Sequence, residues 1–283
     1  MPELPEVETV RRTLDPLLRG RWIQSFTAYW PRTVGHEDLN QFSALVSGRT
    51  IMAVDRRAKY VVLRLDEEDR ISVHLRMTGE LLLTDAALEA LGDRQRPYLR
   101  ATFDLGDGGY LHFIDIRKFG RIRWLPAEDW PLFDQSLGVE PLDNEFTPDA
   151  LQATLQRRRR QMKPLLLDQT VIAGLGNIYV DEALHRAGVH PLTLSHQVDA
   201  ADAQRIFEAI RTVLLEAVAN SGTTLRNYRS GLGEPGTNQR ELRIYGRRDG
   251  DACRTCGSPI RRIVVGQRGT VYCPTCQPLA DRR

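Results

Sequence analysis

Two groups of residues, at opposite ends of the chain, have types and spacings that could do chemistry. The first is Met1-Pro2-Glu3-Leu4-Pro5-Glu6. Removal of Met1 would make Pro2 an N-terminal secondary amine. An α-amino group with a pKa of about 7.7–8.0 is partly neutral near physiological pH. Such an amine can attack a carbonyl-like carbon and form an iminium ion. Glu3 and Glu6 are close enough in sequence to give or take the protons. The same residues would also serve simply to open a helix. The second group is Cys253-Arg-Thr-Cys256 and Cys273-Pro-Thr-Cys276, with 16 residues between the pairs and no other cysteine in the chain. Each C-x-x-C knuckle brings two thiolates to one tetrahedral ion, so the pattern reads as a four-cysteine zinc ribbon. Four thiolates leave no open position on the metal, which makes one structural Zn2+ the expected cofactor. Two disulfides in a secreted chain are the alternative.

Four further segments carry weaker signals. Arg56-Arg57-Ala58-Lys59-Tyr60 could offer an ammonium or guanidinium to a phosphate or sugar, or form a solvated strand edge. His74-Leu75-Arg76-Met77-Thr78-Gly79 ends in a glycine turn, where Met77 could pack inward or act as a flexible apolar probe. Asp115-Ile116-Arg117-Lys118-Phe119-Gly120-Arg121 sets three cations around an aromatic. That composition suits a wedge entering a base stack, with a guanidinium to bond the orphaned partner base. It suits a charged hairpin with Phe119 turned inward equally well. Gly174-Leu175-Gly176-Asn177 precedes a helical pattern, where free N–H groups bind phosphate and Asn177 could cap the helix or join them.

The elements that must position these groups fall into three blocks. A helix is expected after Pro2, from the acids in its first turn and from Val7, Val10, Leu14 and Leu17 at helical spacing. Pro16 blurs its end and Gly20 closes it. Eight short β-like segments follow, near 22–29, 50–54, 60–65, 71–75, 80–83, 99–105, 110–114 and 121–124, punctuated by glycines. They indicate a β-sandwich or barrel. Beyond it the pattern turns helical, with helices expected over 148–160 and 177–187. Ala203, Ile206, Phe207, Ile210, Val213, Leu214 and Ala217 give the strongest amphipathic repeat. A Gly-, Thr-, Ser- and Asn-rich stretch over 222–236 reads as a mobile loop. The span 260–272 reads as a hairpin turning through Gly266-Gln267-Arg268-Gly269.

Length and charge fit that division. A chain of 283 residues is long enough for two domains and a small module, and can bury a core without disulfides. Mean hydropathy is −0.37, no apolar run approaches a membrane span, and the start has no apolar signal region. A cytoplasmic protein with no membrane partner is expected. Net charge is only +2, but from Ser221 onward 12 arginines face 5 acids, so the C-terminal part is a candidate polyanion binder. Lysines are only Lys59, Lys118 and Lys163, which limits any amine chemistry to three side chains besides the N-terminus.

Taken in order, Pro2-Glu-Leu-Pro-Glu-Val-Glu8, Arg57-Ala-Lys-Tyr60, His74-Leu-Arg-Met77, Asp115-Ile-Arg-Lys-Phe-Gly120, Leu167-Asp-Gln169, Ala173-Gly-Leu-Gly-Asn-Ile-Tyr179 and the ribbon from Cys253 to Gln277 closely resemble the formamidopyrimidine-DNA glycosylase family, also called 8-oxoguanine DNA glycosylases, over almost the whole chain. The opening Pro-Glu-Leu-Pro-Glu favours this branch over the endonuclease VIII branch, which typically opens Pro-Glu-Gly-Pro-Glu. The resemblance implies an α+β multidomain fold. Its parts are an N-terminal β-sandwich with flanking helices (1–131), a helix–two-turns–helix domain (132–239) with a lesion loop over 221–239, and a zinc-ribbon finger (240–283). It implies a bifunctional DNA glycosylase/AP lyase of base excision repair. The partner is double-stranded DNA containing oxidised purines or abasic sites, lying between two lobes of a nucleoid-associated monomer. Pro2 resembles the nucleophile and Glu3 the residue that assists proton transfer and ring opening, with Glu6 in support. Lys59 resembles a lysine at the reacting site. His74 falls in the DNA-contacting set. Met77, Arg117 and Phe119 look like the residues that fill the void left by an extruded nucleotide. Asn177 and Arg268 look like phosphate clamps. Lys163, just before Pro164-Leu-Leu-Leu-Asp-Gln169, is a further cation that could approach the damaged base. One departure is Asn238, where many relatives carry an aromatic nearby; it bears on how the loop packs and on lesion preference.

Overall fold

The computed structural model describes residues 1–35, 38–85, 91–92 and 95–279. They form two compact units, one of Met1–Gln135 with Val218–Gln239, the other of Ser136–Ala217 with Arg240–Arg283.

The first unit opens with helix α1 (Leu4–Leu18). Val7, Val10, Leu14 and Leu18 recur on one face and are fully buried. Pro16 stands in the last turn, where it removes one helical N–H donor two residues before the helix ends. Two antiparallel sheets follow. One has the order β1 (Ser25–Ala28), β6 (Leu99–Asp104), β7 (Tyr110–Asp115), β5 (Gly79–Thr84). The other has the order β2 (Ile51–Arg57), β3 (Tyr60–Leu65), β4 (Arg70–His74), β8 (Arg121–Leu125). Inward side chains from both, including Val61, Leu63, Ile71, Val73, Leu81, Phe103, Leu111 and Phe113, share one core with the α1 face. This is the expected sandwich. Each such side chain contributes about 1.5–3 kcal/mol of burial.

Several details differ from the sequence reading. The first strand is only Ser25–Ala28, because Trp22 makes an isolated bridge to Thr50 and stays half exposed. Helix α2 (Leu39–Val46) is one the apolar pattern does not mark. It spans about two turns and is started by the Asp38 side chain accepting from Asn40 and Gln41 N–H. A short helix α3 (Trp130–Gln135) closes the segment. Val218–Gln239, which the resemblance assigns to the helical domain, clusters with the sandwich.

The second unit contains α4 (Pro148–Gln156), α5 (Met162–Leu166), α6 (Asn177–Ala187) and most of α7 (Ala200–Ala219). α4 starts on a Thr147 cap and stops before the arginine run 157–160, which the sequence had counted as helix. Gly188 ends α6 in the left-handed conformation. A hairpin of β9 (Arg261–Val265) and β10 (Arg268–Tyr272) completes the unit. Its turn is tighter than the four residues expected. Arg268 already pairs with Val265, leaving only Gly266 and Gln267, both at positive φ. Two positive φ values define the turn that matches strand twist, and glycine makes the first one cheap.

Candidate active site

Glu3 is the N-cap of α1 and Glu6 its third residue, and the two form a reciprocal capping box. Glu6 Oε2 accepts from the Glu3 backbone N–H at 2.7 Å. Both carboxylates are buried, at 2% and 1% exposure. Pro2 is also buried and stands one residue before the cap, while Met1 is exposed. The chain therefore brings Pro2, Glu3 and Glu6 together by local helix-start chemistry. Glu6 is committed further. Its Oε1 accepts from Thr223 N–H at 2.7 Å, and its carbonyl accepts from the Tyr228 hydroxyl at 3.2 Å. Burial pushes the Tyr228 phenol up, so it stays a neutral donor.

The 221–239 stretch is thereby fastened to α1. A Cβ on Gly236 would stand 2.1 Å from the Gly222 carbonyl oxygen, so only glycine allows that approach. Asn238 is buried and donates to Thr223 Oγ1 at 2.9 Å. It knits the loop from inside through hydrogen bonds. Periodicity could not have found these links, because the loop has none.

Lys59 lies in the two-residue turn between β2 and β3, buried at 5% exposure, with Ala58 at φ +53°. Arg56 ties this turn to α1, donating to the Ala58 carbonyl at 3.1 Å and to Glu8 Oε2 at 3.3 Å. Burial alone would raise the Glu8 carboxyl. Hydrogen bonds from Arg12 and Arg11 outweigh it and hold Glu8 below the usual carboxylate range. Glu8 thus serves as a structural acid that joins α1 to the turn after β2.

Met77, Arg117 and Phe119 come together on two neighbouring turns. Met77 and Phe119 are large apolar side chains left 45% and 47% exposed. The Arg117 guanidinium lies against Met77 Sδ and 4.7 Å over the Phe119 ring. One residue, fully buried Asp115, holds this arrangement, and sequence reasoning gave it no separate role. Its Oδ2 accepts from Gly120 N–H at 2.7 Å and its Oδ1 from Arg117 N–H at 3.1 Å and the Thr78 hydroxyl. The other turn depends on His74. This residue is buried, and burial together with the Arg76 and Lys59 charges pushes its imidazole down to about 3. It is neutral, and its Nδ1 accepts from Arg76 N–H at 3.0 Å. His74 supports the Met77 turn and offers no cation to a phosphate.

Beside these turns is a cavity of about 800 Å³, lined by Thr78, Glu80, Tyr98, Ile116, Arg226 and Arg229 among others. Burial pushes the Glu80 carboxyl up to about 7, and its Oε1 has no hydrogen-bond partner.

In the second unit Gly176, not Asn177, is the cap of α6. Asn177 is the first helical residue, and its Nδ2 donates to the Gly269 carbonyl at 3.1 Å. That bond joins it to the hairpin at the residue after exposed Arg268. The four cysteines are free, and their sulfurs lie within 4.8 Å of one another. Cys253–Cys276 and Cys256–Cys273 sulfurs are 3.9 and 3.5 Å apart, far beyond a disulfide bond. A tetrahedral Zn2+ with bonds of about 2.3 Å requires sulfur–sulfur edges of about 3.8 Å. The donor set therefore fits one zinc ion and excludes the disulfide alternative. Lys163, a candidate to approach a damaged base, is fully buried against Asp181 and presents no free face.

Comparison with known proteins matches three family models in chain order. These are the formamidopyrimidine-DNA glycosylase N-terminal domain over residues 1–122, the formamidopyrimidine-DNA glycosylase H2TH domain over 137–229, and the zinc finger found in FPG and IleRS over 250–279. The chain belongs to the formamidopyrimidine-DNA glycosylase family. It is 45% identical over 278 residues to the formamidopyrimidine-DNA glycosylase of Chloroflexus aurantiacus, covering 98% of each chain. It is 41% identical over 285 residues to that of Enterococcus faecalis, covering 100% of this chain and 99% of the relative. Among solved structures it is similar to the wild-type Lactococcus lactis Fpg bound to N7-benzyl-Fapy-dG DNA. The TM-score is 0.89 at 36% identity, covering 98% of this chain and 100% of that one. A complex of the same enzyme with abasic-site DNA has a TM-score of 0.88, 36% identity and the same coverage. Among the described residues no helix is long and apolar enough to cross a membrane.

Proposed function

We propose that this chain is a bifunctional DNA glycosylase and AP lyase of base excision repair. It would excise oxidised purines, 8-oxoguanine opposite cytosine and formamidopyrimidines among them, through an iminium on Pro2. The observation that carries this reading is a buried proline directly before a helix cap made of two buried carboxylates, Glu3 and Glu6. After removal of Met1 the Pro2 nitrogen attacks the sugar C1′. The bond from C1′ to the base breaks, and the base leaves with a proton. Glu3 delivers a proton to the ring oxygen as C1′–O4′ opens, which leaves the Pro2 iminium. Loss of a C2′ proton expels the 3′ phosphate, and loss of a C4′ proton expels the 5′ phosphate. Water then releases the sugar fragment and frees Pro2. Glu6 acts in support by fixing the loop 221–239 over this site, and Lys59 supplies positive charge beside the reacting sugar.

The other residues deliver the substrate. A base inside a duplex hides C1′, so the nucleotide must be extruded at a cost of a few kcal/mol. Met77 and Phe119 fill the gap, Arg117 bonds the orphaned cytosine, and Asp115 and His74 hold the turns that present them. Asn177 and Arg268 bind backbone phosphate. Cys253, Cys256, Cys273 and Cys276 would hold one zinc ion, which cross-links the ribbon and performs no step. The protein works as a monomer, in the cytoplasm on nucleoid DNA.

The test is cleavage of an end-labelled duplex carrying 8-oxoguanine opposite cytosine. Free base and phosphate at both new ends are expected, with loss of both in Pro2→Gly. Cleavage of a thymine glycol duplex in preference to the 8-oxoguanine duplex would overturn the substrate assignment. Full activity in Pro2→Gly would overturn the nucleophile.

A further inference from the structure

Lys163 and Asp181 form an ion pair with essentially no solvent exposure, Nζ to Oδ1 at 2.6 Å. Stability does not account for it. Burying two charges costs several kcal/mol per ion, and well-packed apolar replacements are often neutral or stabilising. What the pair does with its remaining hydrogen-bonding capacity is specific. Lys163 Nζ donates to the Gly269 carbonyl at 3.1 Å, and Asp181 Oδ2 accepts from Val271 N–H at 3.3 Å. Gly269 and Val271 are alternate residues of β10, so these two groups lie on the same edge of the strand. β9 occupies the opposite edge. A cation placed against the carbonyl and an anion against the N–H therefore act as a third strand on the free edge of the hairpin.

The same carbonyl accepts from Asn177 Nδ2 at 3.1 Å. Asn177 and Asp181 stand four residues apart on α6, one turn, and Arg268 immediately precedes Gly269. Glu182, the next residue on α6, accepts from the backbone N–H groups of Arg243, Ile244 and Tyr245 at 2.7–2.9 Å. Four thiolates around a metal would fix the ribbon internally. They would not fix where its hairpin points relative to Asn177. The buried polar contacts from α5 and α6 do that.

We propose that Lys163 and Asp181 are positioning residues. They clamp the outer edge of β10 so that Arg268 and Asn177 are held together in the arrangement that grips backbone phosphate. This rests on the phosphate-binding reading of Arg268 and Asn177 given above.

The test replaces the pair by an apolar one, Lys163→Met with Asp181→Leu, and crosses it with Arg268→Ala. The probe is a duplex containing a tetrahydrofuran abasic analogue, with affinity measured over a salt series and zinc content and Tm measured alongside. In the otherwise unaltered protein, Arg268→Ala should weaken binding about 10-fold and reduce the salt slope by about 0.9. The apolar pair should keep zinc and Tm, yet weaken binding by a similar factor. Adding Arg268→Ala to it should then cost less than about twofold. Wild-type affinity in the apolar pair, or losses that multiply, would overturn the inference. No effect of Arg268→Ala alone would instead overturn the phosphate reading, visibly and separately. If the apolar pair loses zinc, Asp181→Asn keeps shape and an acceptor for Val271, and the same non-additivity with Arg268→Ala decides the matter.

Discussion

The sandwich and the ribbon hold their functional residues by opposite means. The sandwich rests on a continuous apolar core running from Val7 on α1 to Ile122 on β8. With that much burial it can leave Met77 and Phe119 half exposed and keep Arg76 and Lys118 at positive φ. Non-glycine residues at such angles cost about 1–3 kcal/mol each and persist only where surrounding structure over-determines them. The ribbon's buried cluster consists of Ile244, Cys253, Ile260, Val271 and Cys273. A core that small supplies little stability by itself, and a metal on its four cysteines would staple it. It also draws buried charges, Lys163, Asp181 and Glu182, into fixing its backbone. In the sandwich, buried polar groups such as Asp115 and His74 each hold a single turn on a core that stands without them. In the ribbon they hold the hairpin itself.

The largest expected break of that contrast is metal removal. Chelation, or Cys273→Ser, should unfold the ribbon and weaken duplex binding more than about 100-fold. The sandwich should keep its cooperative melting, because its core owes nothing to the metal. Loss of both units together on calorimetry would contradict the contrast.

Next is the buried acid that holds the Arg117–Phe119 turn of the sandwich. Asp115→Ala strips the acceptor from Gly120 and Arg117 N–H, at a cost of about 1–3 kcal/mol. Base excision from duplex should fall about 10-fold, while cleavage of a single-stranded abasic site stays unchanged, since no nucleotide has to be extruded there. Equal losses on both substrates would show that Asp115 serves the whole site.

The smallest effect concerns a half-buried acid inside the apolar-rich unit. Burial raises Glu80 from 4.5 to about 7. The folded state therefore holds its proton where the unfolded chain has lost it, and stability falls as pH rises from about 4.5 to about 7. Glu80→Gln removes this penalty. The variant should match wild type near pH 4 and be the more stable of the two by pH 8 in denaturant titrations. A pH-independent difference would place Glu80 in water.

These cases mark what the sequence could and could not convey. The cysteine knuckles, the hairpin between them and the α1 face were legible because their signals lie within a few residues. The capping acids were legible as a helix start for the same reason. What escaped was non-local. Glu6 meets Thr223, 217 positions away, and no period connects them. His74 falls in the DNA-contacting set by resemblance, and only the fold shows that burial keeps its imidazole neutral. Lys163 reads as a free amine until Asp181 is folded against it. Helices α2 and α5 span only 8 and 5 residues, too few for an apolar repeat to emerge.

The central claim is that Pro2, set before two buried carboxylates, is the nucleophile. Borohydride trapping on an end-labelled duplex with 8-oxoguanine opposite cytosine tests it most directly, with the cross-linked peptide located by mass spectrometry. The account predicts a reduced adduct on Pro2 of the processed chain and none in Pro2→Gly. An adduct on Lys59, Lys118 or Lys163 would contradict it, as would tight binding with no adduct at all.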